Sequence, residues 1–134
     1  MQNKIVVRYF DGRILKGTSA DFMPNKDRFH IVPLDAPPGK KPQEILVREL
    51  KAVFFVKDYD GNAQYKEWKE FPPDRRAAGG RKIKVVFKDE EMLIGMTQGY
   101  QPDRPGFFVF PADTQSNNER CYVVSAAVKE VSLL

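Results

Sequence analysis

The chain of 134 residues holds one cysteine, Cys121, and one histidine, His30. A single thiol excludes an internal disulfide and any cysteine-based zinc site. No apolar run approaches the roughly 18 residues that a membrane-crossing helix needs, and Met1-Gln2-Asn3-Lys4 shows no signal-peptide pattern. There is no phosphate-binding glycine loop, since Gly79-Gly80 reads only as a flexible joint. Cys121 has no histidine in its own half of the chain. His30 follows Phe29 in an alternating stretch and reads as a surface or rim residue. The acidic pairs Asp58/Asp60 and Glu90/Glu91 read as solvated turn residues, without metal-ligand spacing. Catalysis needs a positioned acid, base or nucleophile. The sequence therefore predicts a protein that is not an enzyme, with no cofactor and no metal, soluble and cytoplasmic.

What is present is a unit stated twice. Lys4-Ile5-Val6-Val7-Arg8-Tyr9-Phe10-Asp11-Gly12-Arg13-Ile14-Leu15-Lys16-Gly17 returns as Lys82-Ile83-Lys84-Val85-Val86-Phe87-Lys88-Asp89-Glu90-Glu91-Met92-Leu93-Ile94-Gly95. The offset that carries Lys4 to Lys82 persists without a gap. Phe29, Pro33 and Asp35 meet Phe107, Pro111 and Asp113, and Lys51 and Val53 meet Lys129 and Val131. Such self-similarity is the mark of an internal repeat. A unit of about fifty residues buries too little surface to be comfortable alone, so the two units are expected to share an interface.

Within each unit the pattern is that of strands. Ile5, Val7 and Tyr9 alternate with Lys4 and Arg8, as Ile83, Val85 and Phe87 alternate with Lys82, Lys84 and Lys88. Asp11-Gly12 marks a tight hairpin. Asp89-Glu90-Glu91 stands in its place in the second copy, which predicts a turn of another type or length there. Gly17 and Gly95 fall at one position of the returning strand and predict a bend or a close backbone approach. A third strand follows at Phe29 to Leu34 and Phe107 to Ala112. A fourth and a fifth flank one tight helical turn, at 48–52 and 126–130. The expected fold is all-β: two tandem five-stranded small barrels, at 1–56 and 82–134. Between them, 57–81 is a linker with a short helix over Ala63 to Glu70, which Asn62 would cap. Pro72-Pro73 ends that helix, and a basic joint, Asp74 to Arg81, follows it. Ile5, Val7, Leu15, Phe29, Ile31, Val47, Val53 and their counterparts in the second copy are the expected core.

Five short strands, an Asp-Gly hairpin and a glycine-bent second strand resemble SH3-like barrels. Val7 to Gly17 is similar to the first half of the Sm motif of the Sm-like barrels. Neither copy has that family's Arg/Lys-Gly turn before the last strand. The whole chain also resembles an uncharacterised bacterial repeat family, recognisable at Gly99-Tyr100-Gln101-Pro102-Asp103-Arg104-Pro105-Gly106-Phe107-Phe108. That resemblance implies no activity. Arg75, Arg76 and Arg81 before a strand are similar to the paired arginines of PilZ domains, barrels that bind a cyclic dinucleotide. Here the spacing from Arg76 to Arg81 is one residue too long, and no glycine follows Asp113-Thr114-Gln115-Ser116.

Recognition is the function that the composition favours. Arginine and aromatic residues recur together at Tyr9/Phe10/Arg13 and Tyr100/Arg104/Phe108, beside the aromatic pair Tyr65/Trp68. Such groups serve protein hot spots and base stacking alike. The first reading is a binding or adaptor module for another protein, whose open strand edges would take a partner strand. The alternative is RNA or single-stranded nucleic acid. The net charge of +4 sits in residues 1–56, with +1 in 57–81 and −1 in 82–134. Arg8, Arg13, Lys16, Lys40 and Lys41 would contact phosphates, beside Arg75, Arg76 and Arg81, and Tyr65 or Trp68 would stack a base. Cyclic dinucleotide binding at the arginine-rich joint is the third reading. The candidate surface is thus Arg8, Arg13, Lys16, Tyr65, Trp68, Arg75, Arg76, Arg81, Tyr100 and Arg104.

Overall fold

The computed structural model describes residues 3–24, 26–34, 36–37, 39, 41–57, 81–101, 103–111 and 118–133. The expected linker helix, the residues Tyr65, Trp68, Arg75 and Arg76, and Lys40 lie outside them. Ten strands follow one another: β1 (Asn3–Tyr9), β2 (Ile14–Ser19), β3 (Arg28–Pro33), β4 (Gln43–Leu46), β5 (Leu50–Val56), β6 (Arg81–Phe87), β7 (Met92–Thr97), β8 (Gly106–Pro111), β9 (Asn118–Val124) and β10 (Val128–Leu133). Single 3-10 turns at Val47–Glu49 and Ser125–Ala127 join β4 to β5 and β9 to β10. The described residues contain no α-helix.

All ten strands belong to one open antiparallel sheet, in the order β10-β6-β7-β8-β9-β5-β1-β2-β3-β4. Among the described residues no ladder closes β4 on β5 or β9 on β10. The ladders cross from one half of the chain to the other at a central seam. There Ala52 faces Val123, Val53 faces Tyr122 and Phe54 faces Cys121. The pairing in the two halves keeps the offset that separates Lys4 from Lys82: Ile5 lies opposite Gly17, and Ile83 lies opposite Gly95.

The seam explains why β5 reads Leu-Lys-Ala-Val-Phe-Phe-Val, apolar on both faces. Alternate side chains of a strand point to opposite faces of its sheet. Val53 and Phe55 join Ile5, Val7, Phe29 and Ile31 in a core on one face, while Ala52, Phe54 and Val56 join Ile83, Val85 and Phe107 on the other. Tyr122 and Val124 of β9 belong to the first of these cores, and Cys121 and Val123 to the second. Each half therefore supplies side chains to the core of the other. Burying each of Phe54 and Phe55 contributes about 2 kcal/mol, so the seam alone is a large share of a marginal total. Of the expected core, Leu15, Ser125 and Val131 are only half-buried, and the rest is enclosed.

The two hairpins that differ in sequence are the same in form, which corrects the expectation of different turns. Tyr9 N–H donates to Arg13 O at 2.9 Å and Gly12 N–H to Tyr9 O at 3.1 Å. Phe87 N–H donates to Glu91 O at 2.8 Å and Glu90 N–H to Phe87 O at 2.9 Å. Gly12 has φ 95°, and Glu90 takes the same left-handed backbone at φ 73°. That conformation costs a non-glycine residue about 1 kcal/mol or more. Lys129 Nζ, 2.7 Å from Glu90 Oε1, offsets part of it.

The acidic sequence of the second hairpin has its own reason. The β5–β1 ladder is bulged so that Lys51 is an extra residue between Leu50 and Ala52, and a bulge re-aims a side chain. Lys51 reaches across to the other half and lies 2.7 Å from both Asp89 Oδ2 and Glu91 Oε1, with its ammonium over the Phe87 ring. Its side chain is only 10% exposed. The hydrogen bond from Lys51 is the main cause that holds the Asp89 carboxyl below its ordinary value of 3.8. A lowered carboxylate pKa stabilises the fold above the unfolded value and loses that contribution as pH falls through the folded one. Lys51→Met is expected to cost about 1 kcal/mol at neutral pH. It should also remove part of the acid sensitivity below about pH 4. Urea midpoints of both proteins at neutral pH and below the ordinary carboxylate range check this. An equal loss under both conditions would mean that Lys51 acts through packing alone.

Candidate functional site

The candidate residues within the described chain do not gather in one place. Arg8 on β1 is half-buried, its guanidinium 5.2 Å from the Phe54 ring centre and its buried Nε without a hydrogen-bond partner. Arg13 lies over Tyr9 at 4.3 Å and donates from Nε to Asp11 Oδ2 at 2.8 Å. Lys16 is exposed on β2, and Arg81 is exposed at the start of β6, opposite Thr97. Tyr100 packs edge-on against Phe107 at 4.8 Å. Arg104 lines a cleft.

That cleft encloses about 350 Å³, the lower end of the range for small-ligand sites. It lies between the ends of β7, β8 and β9 and the Pro24 turn of the first half. Its apolar lining is Phe107, Phe108, Phe110 and Tyr122; its polar lining is Thr97, Gln98, Gln101 and Arg104. The floor is built by close packing. Tyr122 is 1% exposed, and its ring lies where any Cβ on Gly106 would fall, 2.4 Å from Cζ. The Tyr122 hydroxyl donates to Pro24 O at 3.2 Å, which ties the floor to the other half. Phe22 and Phe108 meet the Tyr122 ring edge-on at 5.1 and 5.3 Å.

The arginine at the mouth is held in place. Arg104 N–H closes a turn on Gln101 O at 3.2 Å, its carbonyl accepts from Ser125 Oγ at 2.9 Å, and Nε donates to Gln101 Oε1. Ser125 N–H donates to Pro105 O at 2.9 Å, so the loop is pinned to the 3-10 turn after β9. Thr97 Oγ1 donates to Phe108 O at 3.1 Å and accepts from Gly99 N–H at 3.4 Å. Burial pushes the Tyr122 phenol above its ordinary value of 10.0, and the Arg104 charge opposes that shift.

His30 is exposed, as the sequence predicts, but it is not isolated. Its Nδ1 lies 2.7 Å from Asp21 Oδ2, its N–H donates to Asp21 Oδ1 at 2.9 Å, and Ser19 Oγ donates to that oxygen at 3.2 Å. Burial raises the Asp21 pKa, and these bonds outweigh it, leaving the carboxyl below 3.8. Cys121 is fully buried in the seam, where no substrate reaches it. Phe108, Tyr122, Gly99 and Gly106 all line the cleft. Phe108 stood in the sequence only beside Tyr100 and Arg104, and Tyr122 was not a candidate.

The sheet leaves two outer strands, β4 and β10. β5, which pairs with β1 as β10 pairs with β6, is buried at every residue because β9 lies along it. β10 has no such neighbour among the described residues, and Lys129, Glu130 and Leu133 are exposed on it.

The sequence model of one family, described as a family of unknown function (DUF6982), matches residues 1–134. No curated protein and no solved structure matches the chain.

Proposed function

We propose, from the premise that this chain belongs along its whole length to that family of unknown function, that it is a non-enzymatic binding module. Its partner is another protein, which lays an extended segment along the outer edge of β10. The observation that carries this reading is the contrast between β5 and β10. The two strands hold the same place in the repeat, and β9 covers one of them. Main-chain hydrogen bonds to an added strand supply affinity, and the side chains along the edge supply selectivity. Behind this stands the finer architecture of two repeated SH3-like or Sm-like barrels, supported by the repeated strand limits and the repeated register of Ile5 with Gly17 and Ile83 with Gly95.

A second copy of the chain is the poorer occupant. The seam is apolar, with Ala52 and Phe54 against Cys121 and Val123. At the outer edges the offset places Glu130 and Ser132 for the first pair, and Gln43 and Ile45 for the second. Polar and charged residues on an edge discourage edge-to-edge pairing of identical chains. The nucleic-acid reading has less to rest on: Arg13 is held by Asp11, and the Arg8 guanidinium is packed on Phe54. Cyclic dinucleotide binding needs Arg75 and Arg76, which lie outside the described residues.

The test is hydrogen exchange with and without a partner recovered by affinity capture. Amides of 128–133 should slow at least about tenfold on binding, as for any paired strand. Slowing confined to another part of the chain would remove this reading.

A further inference from the structure

The cleft beside Arg104 lies in the second half, and its lining can be compared position by position with the first half. Four of its lining positions have charged or titratable counterparts in the first half, and these pair with one another. Asp21 stands where the second half has Gly99, His30 where it has Phe108, Arg28 where it has Gly106, and Glu44 where it has Tyr122. In the first half Asp21 pairs with His30 at 2.7 Å, and Arg28 faces Glu44 at 3.7 Å. The second half replaces four charged or titratable side chains with two glycines and two aromatic rings. Where the first half places these paired polar side chains, the second half has a cleft of about 350 Å³.

The chemistry of the lining selects the ligand. Among the described lining residues Arg104 is the only charged side chain, and no carboxylate balances it. Its guanidinium is positioned by Gln101 and by a loop held at both ends. A guanidinium presents a planar fork of donors that matches carboxylate or phosphate oxygens. Half-buried Phe108 and exposed Phe110, which share one face of β8, present ring surface suited to a flat apolar group, with Tyr122 buried behind them. We propose that this cleft binds a small planar anion, an aromatic or heteroaromatic ring carrying one carboxylate or phosphate, which Arg104 would pair while the ring lies against the aromatic floor. The site is separate from the β10 edge, so it stands or falls independently of the strand-addition reading.

The probe is 8-anilinonaphthalene-1-sulfonate, an aromatic anion that fluoresces when enclosed, titrated into the full chain. One saturable equivalent should bind. Arg104→Gln should weaken it at least tenfold, while an uncharged analogue, N-phenyl-1-naphthylamine, should bind both proteins alike. Gly99→Leu should weaken binding of both probes, because Gly99 lines the cleft and a leucine there takes up part of its volume, while the open space around its Cβ position lets the fold tolerate the change. Both substitutions are at exposed residues, and circular dichroism checks that the fold is retained. Benzoate and phenyl phosphate as competitors distinguish a carboxylate from a phosphate ligand, and displacement by neither overturns the proposal. So does absence of saturable binding, or undiminished binding of the anionic probe by either variant.

Discussion

Alanine at Gly95 is expected to destabilise the protein by about 3 kcal/mol or more. Alanine at Gly99, four residues on, should change stability by less than about 0.5 kcal/mol or raise it slightly. The difference is steric. A Cβ on Gly95 would lie 2.1 Å from the Phe110 carbonyl oxygen and 2.8 Å from a Val109 methyl group, whereas one on Gly99 meets nothing. The crowding atom is backbone, in the strand that β7 pairs with, so it cannot swing aside as a side chain would. β7 pairs with β8 at Gly95 opposite Pro111 and at Met96 opposite Phe110, and the two backbones close on each other there. Gly17 has the same constraint, 2.2 Å from the Val32 oxygen, and Gly17→Ala should behave likewise. Denaturant midpoints at constant slope measure all three. A Gly95→Ala protein as stable as its parent would show that the close approach is not needed.

Tyr122→Ala should cost about 3–5 kcal/mol, the range for emptying a large aromatic site. Tyr122→Phe should cost about 1 kcal/mol for the hydrogen bond to Pro24. Tyr122 belongs to β9 of the second half, yet it packs in the core that holds Ile5, Phe29 and Phe55 of the first. Its loss therefore weakens the half of the chain to which it does not belong. Hydrogen exchange of β3 amides, four places from β9 beyond β5, β1 and β2, should accelerate by the same free energy as the global change. Unchanged β3 exchange would mean that the halves unfold separately, and the seam would then not couple them.

Much of this architecture could be read from the chain before its structure. Alternation at Ile5, Val7 and Tyr9 marked a strand, and the fixed offset marked its counterpart. Gly17 and Gly95 marked a close approach of backbones, and both glycines meet a carbonyl of the facing strand. The seam was not legible. A strand apolar on both faces, such as Leu50 to Val56, announces burial on both sides but not which neighbour provides it. That neighbour, β9, lies far along the chain, beyond β6, β7 and β8. The hairpin at Asp89-Glu90-Glu91 was misread because the residue types favour another turn. The tertiary partners, Lys51 from a bulge and Lys129, are what hold a glutamate in a left-handed conformation. The cleft was hidden for a different reason. Its signal is the disagreement between the two copies at 21, 28, 30 and 44, whereas repeats are found by their agreement.

The seam also has a consequence for how the protein is made. A ribosome delivers the chain from its N-terminus at roughly 5–20 residues per second. The first half, through Val56, is complete well before β9 emerges, since β6, β7 and β8 come between. For several seconds β5 has an unpaired edge, and Val6, Phe54 and Val56 have no second core to enter. The strand buried at every residue is thus the one that must wait for its neighbour. Nascent chains on neighbouring ribosomes of one message would offer one another that same edge, and this is the interval in which a chaperone would be of use.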